Sequence, residues 1–227
     1  MIRLLICGIC GKMGSLTANL ADKDVSFKVL GGVDRINPVE YDFPVWQNFD
    51  DCPKADCIID FSSPDTIKNI IDYAIVNLTP LVLATTGYNE HEIEFIKNAS
   101  QNIPIFMSSN LSKGMNALIK ASSLLCDTLG NEYDISISET HHRYKKDAPS
   151  GTAIKIKNAL YPLCCKEIPM SSIRGGGVFG DHTVMFMSDN DVIEITHRAL
   201  NRNIFAQGAL EAAKFITGKK CGIYAEI

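Results

Sequence analysis

Hydrophobic and polar positions change period several times along the chain, and each change predicts an element. Arg3-Leu-Leu-Ile-Cys7 is a short apolar run that predicts a buried parallel strand. Ser15 to Ala21 follows, with Leu16 and Leu20 at helical spacing, and Phe27 to Val33 predicts a second strand. Cys57-Ile-Ile-Asp60 and Leu81-Val-Leu-Ala84 are further buried runs that stop at polar residues, and Pro64 is placed to start a helix after the first of them. Ile105 to Asn110 is a fifth candidate strand. Beyond it, Met115, Leu118, Ile119, Ser122 and Leu125 share one face of a helix, a stripe that belongs to core packing.

The second half reads differently. Tyr133 to Glu139 alternates polar and apolar residues, which predicts a half-buried antiparallel strand. Thr183 to Met187 and Val192 to Thr196 are joined through Ser188-Asp-Asn-Asp191 and predict a hairpin. Gln207 to Thr217 predicts a short helix and Cys221 to Glu226 a last strand, both returning to the first half. The expected class is α/β: an N-terminal Rossmann-type parallel-sheet domain of residues 1–110 and 207–227, plus an α+β domain of residues 111–206 with a mostly antiparallel sheet.

Composition narrows the function classes. The 227 residues are 46% apolar and 21% charged, an ordinary globular balance. A net charge of -4 argues against a nucleic-acid binder that works by neutralising phosphates. No apolar run approaches the length of a membrane span, and the apolar start is too short for a signal peptide, so a cytoplasmic protein without a membrane partner is expected. The 8 cysteines, at 7, 10, 52, 57, 126, 164, 165 and 221, follow no framework spacing and predict reduced thiols. Cys7-Gly-Ile-Cys10 has the spacing of a thioredoxin-like redox pair, but the glycines at 8, 11 and 14 explain the segment better.

Those glycines carry the first chemical signal. Gly8-Ile-Cys10-Gly11-Lys12-Met13-Gly14, between a strand and a helix, predicts the phosphate-binding turn of a dinucleotide site. The helix N-terminus adds unpaired N–H groups and the positive end of a dipole. Asp34, twenty residues after Gly14, is placed to accept hydrogen bonds from a ribose, and Arg35 to pair with a 2′-phosphate or stack on adenine. Phe61-Ser62 and Thr85-Thr86-Gly87 follow strand ends, where open parallel sheets bind ligands.

The second signal is Glu139-Thr-His-His-Arg-Tyr-Lys-Lys-Asp-Ala-Pro-Ser-Gly-Thr-Ala153, a crowd of proton donors and anion-binding groups just before a helix start. If the strand continues, Glu139 and His141 share a face and His142 points the other way. The tandem histidines therefore suit one metal poorly. A metal-hydrolase site of Glu139, His141, Asp181 and His182 would also meet repulsion from Arg143, Lys145 and Lys146, which suit an anionic substrate instead.

This run resembles the signature of the 4-hydroxy-tetrahydrodipicolinate reductase family, also called dihydrodipicolinate reductases. The resemblance extends over nearly the whole chain through Gly8-x-x-Gly11-x-Met13-Gly14, Asp60-Phe-Ser62, Thr85-Thr-Gly87, Ser109-Asn110, Arg174-x-Gly-x-x-x-Gly180-x-His182, Ile195-Thr-His197 and Arg202-x-x-Phe-Ala-x-Gly208. It implies an enzyme of lysine and diaminopimelate biosynthesis that binds NADH or NADPH in its first domain and a cyclic dicarboxylate in its second. Ser108, Asn110 and Leu111 join the cofactor contacts by the same resemblance. Ser150, Gly151 and Thr152 are expected to hold a substrate carboxylate with His142 and Lys145 nearby. The resemblance implies His141 as the proposed acid and Lys145 as the motif lysine, which could also give the proton or stabilise the charge; the sequence does not rank the two. The resemblance also implies a homotetramer joined through the second-domain sheet. Cys10 and Leu111 depart from the family pattern, and little sequence separates Asp34 from the third predicted strand. Asp34 favours NADH while Arg35 permits NADPH. Two other readings stay open: a same-fold reductase of another small imino or keto acid, and a non-catalytic dinucleotide sensor, which would need no proton donor.

Overall fold

The computed structural model describes residues 1–36, 41–164 and 166–225; Cys165 and Glu226, which figure in the cysteine and last-strand expectations, lie outside them. Strand Ile2–Cys7 (β1) has four buried residues at its carboxyl end, as an apolar run covered on both faces must. After it come α1 (Lys12–Asp22), β2 (Phe27–Val33), β3 (Val45–Trp46), β4 (Cys57–Asp60), α2 (Ile67–Asn77), β5 (Leu81–Leu83), α3 (Glu90–Ala99) and β6 (Pro104–Met107). The chain then builds α4 (Lys113–Leu129), β7 (Asp134–His141), α5 (Gly151–Cys164), β8 (Met170–Arg174), β9 (Asp181–Met187) and β10 (Val192–Arg198), and closes with α6 (Asn203–Ile216) and β11 (Gly222–Tyr224). Two units result, Met1–Leu111 with Phe205–Ile227, and Ser112–Ile204.

The first unit is a 7-stranded sheet in the order β11-β6-β5-β4-β1-β2-β3, parallel throughout. Leu5, Ile58, Leu81 and Leu83 pack on Ile67, Ile70 and Ile71 of α2 and Ile96 of α3. The opposite face, with Leu4, Ile59, Val82 and Phe106, packs on Ala209, Ala212, Ala213 and Ile216 of α6. Small residues let α6 approach closely. A Cβ on Gly208 would lie 1.9 Å from the Leu111 carbonyl oxygen, so only glycine fits there. The tail therefore does return to the first sheet, β11 pairing with β6. Its helix starts at Asn203 rather than Gln207, where the Asn201 side chain accepts from the Asn203 N–H at 2.9 Å.

The second unit is a 4-stranded sheet in the order β10-β9-β7-β8. β7 and β9, and β9 and β10, are antiparallel, whereas β7 and β8 run parallel. Inward residues Ile135, Ile137, Val184 and Phe186 pack on Met115, Leu118 and Ile119 of α4 and Ala153, Ile156 and Leu160 of α5. β7 runs two residues beyond the predicted alternation. At that end the inner face turns polar, with Glu139, His141 and His182 all buried. The pattern of apolar positions announced neither β3, α3 nor β8. The seven described cysteines are free thiols.

Candidate active site

In the first unit, β1 ends at Gly8, whose φ of +73° and close approach to the Phe61 carbonyl (2.8 Å from an added Cβ) require glycine. Gly14 is equally constrained, since a Cβ there would lie 2.1 Å from the Gly8 oxygen. α1 begins beyond Gly11 with no side-chain cap and no acid in its first turn, the arrangement an anion needs. Asp34 stands at the end of β2 and bonds the turn itself, accepting from the Cys10 N–H at 3.0 Å and the Ile36 N–H at 3.2 Å. A cavity of ≈ 920 Å³ runs past Gly8, Cys10, Gly11, Asp34, Arg35, Phe61 and Ser62 to Phe49 and Tyr73. A dinucleotide fits these residues: a glycine cradle that any Cβ would fill, a bare helix start and a carboxylate at the second strand end.

Lys12, Met13 and Gly14 lie in the first turn of α1, outside that cavity wall. Thr85, Thr86 and Gly87 occupy the loop after β5. Buried Asp60 ties this loop to the one after β4, accepting from the Ser62 N–H at 2.9 Å, the Ser62 hydroxyl, and the Tyr88 hydroxyl at 3.2 Å. Burial pushes the Asp60 carboxyl up, and these donors hold it back. Ser108 donates to the Asn110 carbonyl at 2.8 Å just beyond β6, and Leu111 is buried in the α6 core.

The second unit gathers its charges around the end of β7. Glu139 and His141 share the inner face, and His141 Nδ1 bonds Glu139 Oε2. Arg174, paired in register with His141 from β8, clamps both carboxylate oxygens at 2.8 and 2.7 Å. The Ser150 N–H adds a bond to Oε1 at 3.2 Å. Burial alone would raise the Glu139 carboxyl, but Arg174, Ser172 and His141 hold it at about 2. Burial pushes His141 down against the pull of Glu139. His182, opposite Glu139 on β9, packs edge-on against His141 with ring centres 5.1 Å apart, and burial lowers it to about 3.

Ser150 precedes α5 and accepts from the Ala153 N–H at 3.2 Å, with its hydroxyl 3.3 Å from His182 Nε2. A Cβ on Gly151 would meet nothing within 4 Å, so the first turn of α5 opens at Gly151, next to Thr152. Lys145 pairs with Asp147 at 2.9 Å, and the pair lowers the Asp147 carboxyl against the effect of its partial burial. His142 is turned off the inner face. Its N–H donates to the Val178 carbonyl at 2.7 Å, while its buried Nδ1 finds no partner among the described residues. With Arg174 on both oxygens of Glu139, the metal-hydrolase arrangement loses one of its two carboxylates. Arg174 and Asp147 were given no role from sequence. The usable signal was Glu139 itself, because a carboxylate on an inward strand position demands a cation.

Sequence profiles described as dihydrodipicolinate reductase, N-terminus, and dihydrodipicolinate reductase, C-terminus, match residues 2–111 and 114–226. A 4-hydroxy-tetrahydrodipicolinate reductase of Caldanaerobacter subterraneus subsp. tengcongensis is 41% identical, over 99% of this chain and 96% of that protein. One from Clostridium tetani is 36% identical, over 99% and 95%. Among solved structures, the dipicolinate-bound dihydrodipicolinate reductase of Paenisporosarcina sp. TG-14 superposes with a TM-score of 0.83 at 22% identity, over 99% of this chain and 98% of that one. An aspartate dehydrogenase of Thermotoga maritima shares the fold more distantly, with a TM-score of 0.58 at 14% identity.

Proposed function

The chain belongs to the dihydrodipicolinate reductase family, and from that footing we propose that it reduces 4-hydroxy-tetrahydrodipicolinate to tetrahydrodipicolinate with NADH or NADPH. The step belongs to diaminopimelate and lysine biosynthesis and takes place in the cytoplasm. The observation that carries this reading is the setting of the α5 N-terminus. There the helix start has open space at the Gly151 Cβ position, and the Asp147 carboxylate accepts from the Gly151 N–H and pairs with Lys145. His142, nine residues before Gly151, has a buried Nδ1 without a partner among the described residues. A carboxylate is thus already accommodated at this helix start beside a cation, which suits an anionic substrate group.

Residues 1–110 with 207–227 form the dinucleotide domain in this reading, and residues 111–206 the substrate and oligomerisation domain. The substrate loses its 4-hydroxyl as water, gains a hydride at carbon 4 and takes a proton on the adjoining carbon. The bound reduced nicotinamide supplies the hydride. The chain supplies the rest. Gly8, Gly11 and Gly14 with the α1 start hold the phosphates, and Asp34 and Arg35 meet the adenosine end. Gly151 and Thr152 receive one substrate carboxylate at the α5 start, with Ser150 fixing the turn and His142 and Lys145 contributing to the same pocket. Lys145 and His141 are the groups that can stabilise the charge built up by hydride arrival or move the proton. Four copies assemble through the sheet of the second domain.

The test is direct. Purified protein is mixed with aspartate semialdehyde, pyruvate, the upstream synthase and either cofactor, and the absorbance of the reduced nicotinamide is followed. Synthase-dependent oxidation of NADH or NADPH is expected; no oxidation of either would refute the assignment.

A further inference from the structure

The side chain of Glu139 is fully buried, yet each of its oxygens is engaged. Arg174 donates to Oε2 at 2.8 Å and Oε1 at 2.7 Å, and the Ser150 N–H to Oε1 at 3.2 Å. The guanidinium is itself fixed by the carbonyls of Ile173 (2.8 Å) and Asp147 (2.6 Å). An ionised carboxylate can only accept, so the hydrogen shared by Glu139 and His141 sits on Nδ1 whatever the charge of the ring. Nε2 is then the nitrogen whose proton comes and goes. It lies beside Gly180, where a Cβ would stand 3.0 Å away.

In a hydrolytic triad a lone carboxylate stabilises the imidazolium. The arrangement around His141 works against that. Burial outweighs the pull of Glu139 towards the charged ring, and Lys145 in the following loop and Arg174 from β8 add cations that oppose protonation. His182 from β9 offers only an imidazole edge, and Asp147 is engaged with Lys145 at 2.9 Å. We propose that Arg174 and Glu139 are positioning residues that hold His141 as the Nδ1–H tautomer, so that Nε2 is the ring nitrogen presented for proton exchange. The tautomer stands on the geometry alone; its use in proton exchange rests on the reductase reading.

The experiment is ¹⁵N-resolved NMR of the histidine rings in the full-length protein across pH, paired with the pH profile of kcat. In the native protein at neutral pH, His141 should show a protonated Nδ1 and a bare Nε2. An Nε2–H tautomer would overturn the proposal without any variant having to fold. Arg174→Gln should raise the His141 midpoint by about one pH unit and carry the acid limb of the kcat profile with it, while Arg174→Lys restores most of the native behaviour. A folded Arg174→Gln protein with an unmoved midpoint would also overturn it. Glu139→Gln should lower kcat by about tenfold or more and release the tautomer; an unchanged tautomer would take the carboxylate out of the role. A native tautomer in a protein that oxidises no cofactor would refute the reductase reading and leave the positioning by Arg174 and Glu139 in place.

Discussion

Lys145 and Asp34 look like free charges in the sequence, and the fold engages both. Lys145 is held by Asp147 at 2.9 Å, a partner from its own loop. Lys145→Ala should lower kcat by about two powers of ten, the range for losing a proton donor or charge clamp; near-native turnover in steady-state assays would remove it from the chemistry. Asp34 bonds the Cys10 and Ile36 N–H groups, so its carboxylate shapes the glycine turn. Asp34→Ala should weaken NADH more than NADPH in fluorescence titrations of binding. Equal losses would confine Asp34 to the turn. Single residues were legible where a local motif holds them, as in the glycine turn and the run from Glu139 to Ala153. Arg174 was not, because its bond to Glu139 spans 35 positions and follows no period.

At the scale of elements, strong periodicity was readable and weak periodicity was not. β1, β2, β4 and β7 follow apolar runs or clean alternation, and α4 shows its stripe. β8 is a sheet-edge strand with two serines and an exposed Ile173, so no alternation marks it. α3 is mostly polar, yet its Asn89–Glu92 capping box was a signal open to a reader of the sequence. Gly208 is the point where α6 passes the Leu111 backbone. Gly208→Ala should cost about 1–3 kcal/mol of stability by overpacking, seen as a lower Tm in calorimetry. An unchanged Tm would mean that the helix shifts freely.

For the whole molecule, buried acid–base groups in the second unit set a pH window. His182 is lowered from 6.5 to about 3, so its contribution is whole above pH 6.5 and is lost as pH falls towards 3. Glu139 is lowered from 4.5 to about 2, and its contribution is lost between those values. Thermal unfolding should therefore show Tm falling from pH 7 to pH 4, and His182→Gln should flatten the upper part of that fall. An equal slope in the variant would place the acid sensitivity elsewhere. The central claim is the proposed reaction itself: a hydride from a nicotinamide cofactor ends on carbon 4 of a cyclic dicarboxylate. The measurement that tests it most directly uses reduced cofactor deuterated at the transferable position and mass analysis of the product made from 4-hydroxy-tetrahydrodipicolinate. Tetrahydrodipicolinate carrying the label at carbon 4 is the predicted result; unlabelled product, or none, would contradict it.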